Sequence, residues 1–337
     1  MRTMIAMSGG VDSAVAARLL LAEGELFGCT LLLTEGEEGA EGARATAAAL
    51  GFSHRTLDLR EEFYREVIRP FSEAYAAGRT PNPCITCNER IKLGRLYDYA
   101  MAEGLDRLAT GHYARIGERD GRPCLMKARD SEKDQSYVLY HLREEMLPHL
   151  AFPLGELTKA EVRALAEEAG LAAAHARESQ DICFVPDGRY AALVERVTGH
   201  PAEPGDYVDA EGRVLGRHRG LTHYTLGQHK GLGIALGRVR YVTAIDPLRR
   251  RVTLGDEADL YRNEVIVPRM HYIGDRPTAP FRAAAKLRYR QREEAVTVYP
   301  DGEGARLVFD MPQRAPTPGQ SAVLYDGDVV LGGGEIG

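Results

Sequence analysis

Up to about residue 195, short apolar runs alternate with stretches whose apolar positions recur every three or four residues. Met4 to Met7 and Leu26 to Leu33 are apolar runs, the pattern of strands buried on both faces. Ser13 to Glu23 has helical spacing and stops at Gly24, and Ala40 to Leu50 does the same before Gly51. His54 to Leu59 and Leu105 to Thr110 read as further strands, and Glu62 to Ala77 as a long helix. Lys159 to Ala169 reads as an amphipathic helix opened by Thr158, with Glu161 placed to complete a capping box. This alternation predicts an α/β domain over residues 1–198, built on a doubly wound parallel sheet.

From about residue 199 the pattern changes. Gly and Pro punctuate short β-prone runs, among them Tyr241 to Ile245, Arg251 to Leu254, Ala295 to Tyr299 and Ala322 to Tyr325. Such spacing predicts two small β domains, 199–258 and 259–337, with a break near 256–263. The acidic stretch Glu35 to Glu41 reads as a solvated loop. The terminal Gly332-Gly-Gly334-Glu-Ile-Gly337 matches G-x-G-x-x-G but opens no helix, so it is not read as a dinucleotide site.

Composition narrows the class. The 337 residues are 44% hydrophobic and 27% charged, an ordinary globular balance that argues against a disordered chain. No apolar run reaches the length of a membrane span. Five cysteines without a secretory leader do not resemble a disulfide scaffold, so a cytoplasmic protein is expected. The net charge of −6 argues against gross attraction to polyanions but leaves room for local basic faces. Between Arg213 and Arg251 nine Lys/Arg stand against one acid, Asp246, and residues 282–292 hold five Lys/Arg and no acid. Arg288, Arg290 and Arg292 would share one face of a strand with Lys286, a surface suited to phosphates or simply to solvent.

The strongest local signal is Ser8-Gly9-Gly10-Val11-Asp12-Ser13, between the first strand and the first helix. A doubly wound sheet places its ligand crevice there. Glycines let the backbone fold around an oxyanion, the helix aims free N–H groups at it, and two hydroxyls add donors. There is no Walker lysine, and Asp12 would repel phosphate without a metal between them, so Mg²⁺ is implied. The bland alternative is a capped Gly-rich turn. Cys84 and Cys87 form a C-x-x-C within Gly78-Arg-Thr-Pro-Asn-Pro-Cys-Ile-Thr-Cys-Asn88. The prolines are expected to hold it outside regular structure, with Asn88 capping the helix beyond. Nearby Arg79 and Arg90 would lower the thiol pKa values. Redox, metal and chance readings stay open, zinc being disfavoured for want of four ligands. Cys29 and Cys124 read as packing residues.

Taken with Ala109-Thr-Gly-His-Tyr113, Lys133-Asp-Gln-Ser-Tyr137, Ser179-Gln-Asp-Ile-Cys-Phe184, Thr225-Leu-Gly-Gln-His-Lys-Gly-Leu-Gly233, Leu287-Arg-Tyr-Arg290 and Thr317-Pro-Gly-Gln-Ser-Ala322, these stretches run almost end to end. The chain resembles the tRNA-specific 2-thiouridylases, bacterial enzymes of the N-type ATP pyrophosphatase superfamily. The resemblance implies ATP-dependent 2-thiolation of the wobble uridine, position 34 of tRNA, by a tRNA-uridine 2-sulfurtransferase. It implies catalytic Cys87 and a persulfide on Cys183, ending in a disulfide between them. ATP would contact Ala6, Met7, Ser8, Gly9, Gly10, Val11, Asp12, Ser13, Leu31 and Gly111. The tRNA anticodon arm would meet Asn82, Pro83, Cys84, His112, Lys133, Asp134, Gln135, Arg288, Tyr289 and Gln320. Further partners implied are a persulfide-donating protein and no membrane. Many relatives carry Asp at the position of Cys84, so a [4Fe-4S] site on Cys84, Cys87 and Cys183 is an alternative sulfur carrier. This chain also has Leu-Thr-Glu where some relatives have Asn-Trp. Other readings are a synthetase transferring nitrogen to an adenylated carbonyl, and a non-catalytic tRNA-binding protein.

Overall fold

The computed structural model describes residues 1–175, 182–185 and 188–337. Its first sheet is parallel, in the order β3 (Ser53–Asp58), β2 (Glu25–Leu32), β1 (Arg2–Ala6), β4 (Arg107–Ala109), then the short strand Leu150–Ala151. The order reverses direction at β1, so the crevice opens beyond the carboxyl end of that strand. Helix α1 (Val11–Leu20) is Ala-rich and buries Ala14, Val15, Ala16 and Ala17 almost completely. These small side chains let it lie closely between the sheet and the later helix Lys159–Glu168. Helix α2 (Glu38–Leu50) starts inside the stretch expected to be a loop. It lies over the phosphate loop: a Cβ on Gly9, whose φ is +77°, would come within 2.5 Å of the Gly39 carbonyl oxygen. The doubly wound α/β fold is as expected.

The two long helices on the other side of the sheet depart from simple α geometry. The first runs through 60–76 with a π-turn segment at Tyr64–Ile68. The second runs through 83–102, with a nine-residue π segment at Cys87–Arg95. Gly94 permits that segment, since a Cβ there would lie 2.6 Å from the carbonyl oxygen of Glu89, five residues earlier. The prolines do not exclude regular structure here. Pro83 occupies the first helical turn, where its missing N–H costs nothing. Asn82, rather than Asn88, is the cap: its side chain accepts from the Cys84 N–H at 3.1 Å. Asn88 is buried inside the helix and donates to the Val138 carbonyl.

The remaining β structure forms two sheets. A four-stranded one comprises Gly205–Val208, Val214–His218, Tyr241–Asp246 and Arg251–Gly255, around Tyr207, Tyr224, Val242, Val252 and Leu254. The other is antiparallel and includes Tyr261–Val267, Phe281–Lys286, Glu294–Asp301, Gly304–Arg314, Ser321–Asp326 and Val329–Glu335. A hairpin not expected from the sequence, Ala114–Arg119 with Arg122–Lys127, extends this sheet from within the first domain. Met126 pairs with Val329, and Val323, Tyr325 and Val330 join the core formed by Leu96, Leu108 and Leu139. The strand expected to carry the arginine row ends at Lys286, so Arg288, Arg290 and Arg292 lie in a turn rather than along one strand face. Among the described residues, no helix is long and apolar enough to cross a membrane.

Candidate functional site

The phosphate loop follows β1. Ser13 Oγ donates to the Gly10 carbonyl at 3.0 Å and accepts from the Ser8 N–H at 3.2 Å, which closes the loop on the first turn of α1. Ala6 ends the strand, Met7 donates its N–H to the Cys29 carbonyl at 2.8 Å, and Val11 is buried beneath. Gly111 lies against the same turn, since a Cβ on it would meet Asp12 and Ser13 backbone at 3.1 Å. Leu31 pairs with Leu57 near the end of β2 and packs toward the cysteine helix. All these positions therefore sit at one edge of the sheet.

Asp12 is not the unscreened charge expected from the sequence. Its Oδ1 accepts from Lys159 Nζ at 2.7 Å and from the Tyr113 hydroxyl at 2.9 Å. A lysine 147 positions away thus neutralises it.

The cysteines converge beside this edge. Cys87 is buried with Phe63, Val67 and Ile91, and Phe184, the neighbour of Cys183, packs on that cluster. The Phe63 and Phe184 rings meet edge to face at 5.7 Å. Cys84 and Cys183 are exposed. The three thiols are close enough to feel each other's charge, and Lys92 acts on all of them. The expected lowering is not found: burial pushes Cys87 up to about 11, and the surrounding protein strips enough water from Cys84 and Cys183 to raise them too although their residues reach the surface, with Lys92 pulling the other way. Residues 179–181 of the Cys183 motif lie outside the described residues. All five cysteines are free thiols, and Cys29 and Cys124 are buried as expected of packing residues. Among the described residues no three His, Cys, Asp or Glu side chains are grouped to hold a single metal ion.

The residues expected to meet tRNA surround the thiols, but most have internal partners. Asn82 caps the cysteine helix and Pro83 is buried. His112 is buried, its Nδ1 is 2.7 Å from Thr110 Oγ1, and burial drives its pKa down to about 3, so the ring is neutral. Asp134 is buried, accepts from the Ala128 and Ser136 N–H groups and the Ser136 hydroxyl, and lies 3.7 Å from Lys286 Nζ. Gln135 accepts from the Tyr113 N–H at 2.9 Å, and Lys133 beside it is half-buried. Arg288 donates to the Ala315 carbonyl and the Thr317 hydroxyl, both at 2.8 Å. Tyr289 is partly exposed, lies edge to face with Tyr137, and feels the charges of both Asp134 and Cys84. Gln320 donates to the Thr80 carbonyl. In the middle module the basic surplus is largely matched by acids outside the basic window: Arg213 pairs with Asp209, Arg217 with Asp206, Arg250 with Glu203, and Arg240 with Asp256.

Three functional candidates were not visible in the sequence: Lys159, Tyr113 as a partner of Asp12, and Lys92. In an α-helix, residues five apart face different sides, whereas a π turn brings them closer to one face; Lys92 and Cys87 share such a segment, and the Lys92 charge acts on the thiol. The paired Lys159 had only a helix-start signal, because a contact spanning 147 positions leaves no local pattern.

These parts define a class first: a nucleotide-type α/β domain with a phosphate loop and a thiol cluster, followed by two β domains. Residues 1–187 match the family model described as the tRNA methyl transferase HUP domain, 195–256 its PRC-barrel domain, and 250–336 an aminomethyltransferase β-barrel domain. The chain is 44% identical to the tRNA-specific 2-thiouridylase MnmA of Acetivibrio thermocellus over 99% of each chain. It is 47% identical to that of Moorella thermoacetica, over 99% of this chain and 98% of the relative, and 41% identical to that of Clostridium acetobutylicum over 99% of each. The chain belongs to the tRNA-specific 2-thiouridylase family.

Proposed function

We propose that this protein is a cytoplasmic tRNA-uridine 2-sulfurtransferase that uses ATP to replace the C2 oxygen of the wobble uridine, position 34, with sulfur. The observation that carries this reading is the meeting of Cys87 and the Cys183 segment beside the crevice that holds the phosphate loop. A uracil carbonyl oxygen is a poor leaving group. Attack of that oxygen on the α-phosphorus breaks the α–β anhydride, expels pyrophosphate, and makes the oxygen part of AMP. The terminal sulfur of a persulfide on Cys183, loaded by a persulfide-donating protein, then attacks C2 and AMP departs with the electron pair. The Cys87 thiolate attacks the Cys183 sulfur, which releases the thiolated base and leaves a Cys87–Cys183 disulfide. Two electrons from an external thiol restore the pair.

The positions 6–13, 31 and 111 would cradle ATP. Mg²⁺ would be held by the phosphates and Asp12 and would supply charge neutralisation. The anticodon arm would lie over Tyr289, the segment 133–135 and the 82–84 cap, with the buried groups among them shaping the surface rather than touching RNA. We read the chain as three units, 1–198, 199–258 and 259–337.

The test is a thiolation assay on unmodified tRNA with ATP and a sulfur donor. Wild type should form AMP, pyrophosphate and 2-thiouridine. Cys87→Ser and Cys183→Ser should still form AMP but no thiouridine, since the phosphate loop activates the carbonyl while only sulfur nucleophiles complete the exchange. Full thiolation by Cys183→Ser would overturn the reading.

A further inference from the structure

We propose that Lys286 is a positioning residue: from the C-terminal sheet it holds the turn on which both partners of Asp12 hang, and so couples tRNA binding to ATP binding. This rests on the adenylation reading above and deepens it by giving the C-terminal sheet a part in placing ATP.

The turn is residues 128–136. Near one end it carries Tyr113. The Gln135 N–H donates to the Tyr113 carbonyl at 2.8 Å, and the Tyr113 N–H donates back to Gln135 Oε1 at 2.9 Å. Near the other end it carries the residue that opens the helix Lys159–Glu168, whose backbone N–H donates to Asp130 Oδ2 at 2.9 Å. The side chains of Tyr113 and Lys159 then converge on Asp12 Oδ1, at 2.9 and 2.7 Å. A shift of the turn therefore reaches the phosphate loop from two sides. Asp134 ties the turn together. Its Oδ1 accepts from the Ala128 and Ser136 N–H groups, and its Oδ2 accepts from the Ser136 hydroxyl at 2.8 Å. The side chain of Asp134 is only 4% exposed, and a carboxylate so buried needs a counter-ion.

Lys286 supplies that charge from elsewhere in the chain. It is the last residue of the strand Phe281–Lys286, and its Nζ lies 3.7 Å from Asp134 Oδ2. The same ammonium lies 5.3 Å from the centre of the buried Tyr325 ring, which fixes the lysine stem against the sheet. The basic turn that carries Arg288, Arg290 and Arg292 begins two positions further on. A buried ion pair contributes little net stability compared with apolar packing, and its best-attested use is to fix the register of two elements. The two elements here are the sheet that presents the basic turn and the bracket that holds the phosphate loop. RNA on the basic turn and ATP on the loop thus bear on one ion pair from opposite ends. Two ligands that bias the same element change each other's affinity by the same factor.

The experiment measures tRNA affinity of full chains with and without α,β-methylene ATP, whose α–β linkage is not cleaved. In wild type the analogue should tighten tRNA binding about fivefold or more, the lower end of the usual range of coupling between sites. Lys286→Met should bring the ratio of the two affinities to about one, and Lys286→Arg, which keeps a cation beside Asp134, should restore part of the coupling. Lys286→Met also strands the Asp134 charge, so its melting temperature should fall. Lys286→Met/Asp134→Asn removes both charges and keeps an acceptor for the Ala128 and Ser136 N–H groups. It should melt closer to wild type and still show no coupling, a result that a purely structural pair would not give. If Lys286→Met does not fold, the double variant carries the test. A wild-type ratio of one, an unchanged ratio in Lys286→Met, or its return in the double variant would overturn the proposal. Wild-type protein that couples the two ligands but makes no AMP from ATP and tRNA would instead overturn the adenylation reading.

Discussion

The side-chain amide of Gln320 donates to the Thr80 carbonyl oxygen at 2.6 Å across 240 positions of sequence. The Thr80 N–H returns a bond to the Pro318 carbonyl at 2.9 Å. A loop of the C-terminal sheet therefore grips the segment that leads into the Asn82 cap and the cysteine helix.

Gly319 makes that grip possible. Its φ is +93°, and a Cβ would lie 2.8 Å from the Thr80 nitrogen. Gly319→Ala should cost about 1–3 kcal/mol of stability through backbone strain. It should also lower thiolation more than AMP formation, because it displaces Cys84 and Cys87 rather than the phosphate loop. Thermal melting and thiouridine yield check both. Unchanged values would show that residues 79–83 adapt without moving the thiols.

The raised Cys87 thiol has a kinetic signature. With its pKa pushed up to about 11, most of it is protonated at neutral pH, and its reactive form grows as pH rises. In a Cys84→Ser/Cys183→Ser background, alkylation of Cys87 by iodoacetamide should rise about tenfold per pH unit between pH 7 and 9. Removing the Lys92 charge in Lys92→Met should slow it further at each pH. A plateau below pH 8 would contradict burial as the dominant influence.

Cys84→Ser separates the two possible carriers of sulfur. On the persulfide reading, the variant should retain most of its thiolation with a persulfide donor, and active wild-type preparations should contain no stoichiometric iron. Loss of iron together with activity in Cys84→Ser would reverse that conclusion.

The basic turn divides into two kinds of arginine. Arg290→Glu and Arg292→Glu lie on exposed positions and should weaken tRNA binding, flattening its salt dependence by about one unit per lost phosphate contact. Arg288→Glu removes donors from the Ala315 carbonyl and the Thr317 hydroxyl, so its main effect should be a lower melting temperature. Filter binding at several salt concentrations, with melting curves beside it, distinguishes the two. Equal slopes for wild type and Arg290→Glu would return this turn to a solvated surface.

The parallel sheet and the phosphate loop were legible because both are local: an apolar run, two glycines and a helical period lie within twenty residues of each other. The Thr158–Glu161 capping box was readable for the same reason, and it is present. What escaped depends on distance or on unusual helix geometry. Lys159 meets Asp12 only through the packing of its helix on α1. Lys92 and Cys87 share a π segment, and the α-helical template places them on different sides. Proximity of Cys84 and Cys87 to Arg79 and Arg90 in sequence suggested acidified thiols. In the folded protein Arg79 pairs with Glu335 and Arg90 with Glu89, and burial sets the thiols instead.

The hairpin Ala114–Arg119/Arg122–Lys127 has a consequence for how the chain is made. Its partner strand, Val329–Glu335, is synthesised long after it. While the ribosome is still working, the first domain presents an unpaired strand edge, the kind of edge that recruits other chains. Closure of that edge is a contact of very long sequence separation, which makes it a slow, late step. A polypeptide stopped before residue 329 would keep its phosphate loop and its thiols yet carry an open edge next to them. Removal of the strand Val329–Glu335 should therefore be felt first as loss of soluble protein during expression, and only afterwards as loss of chemistry.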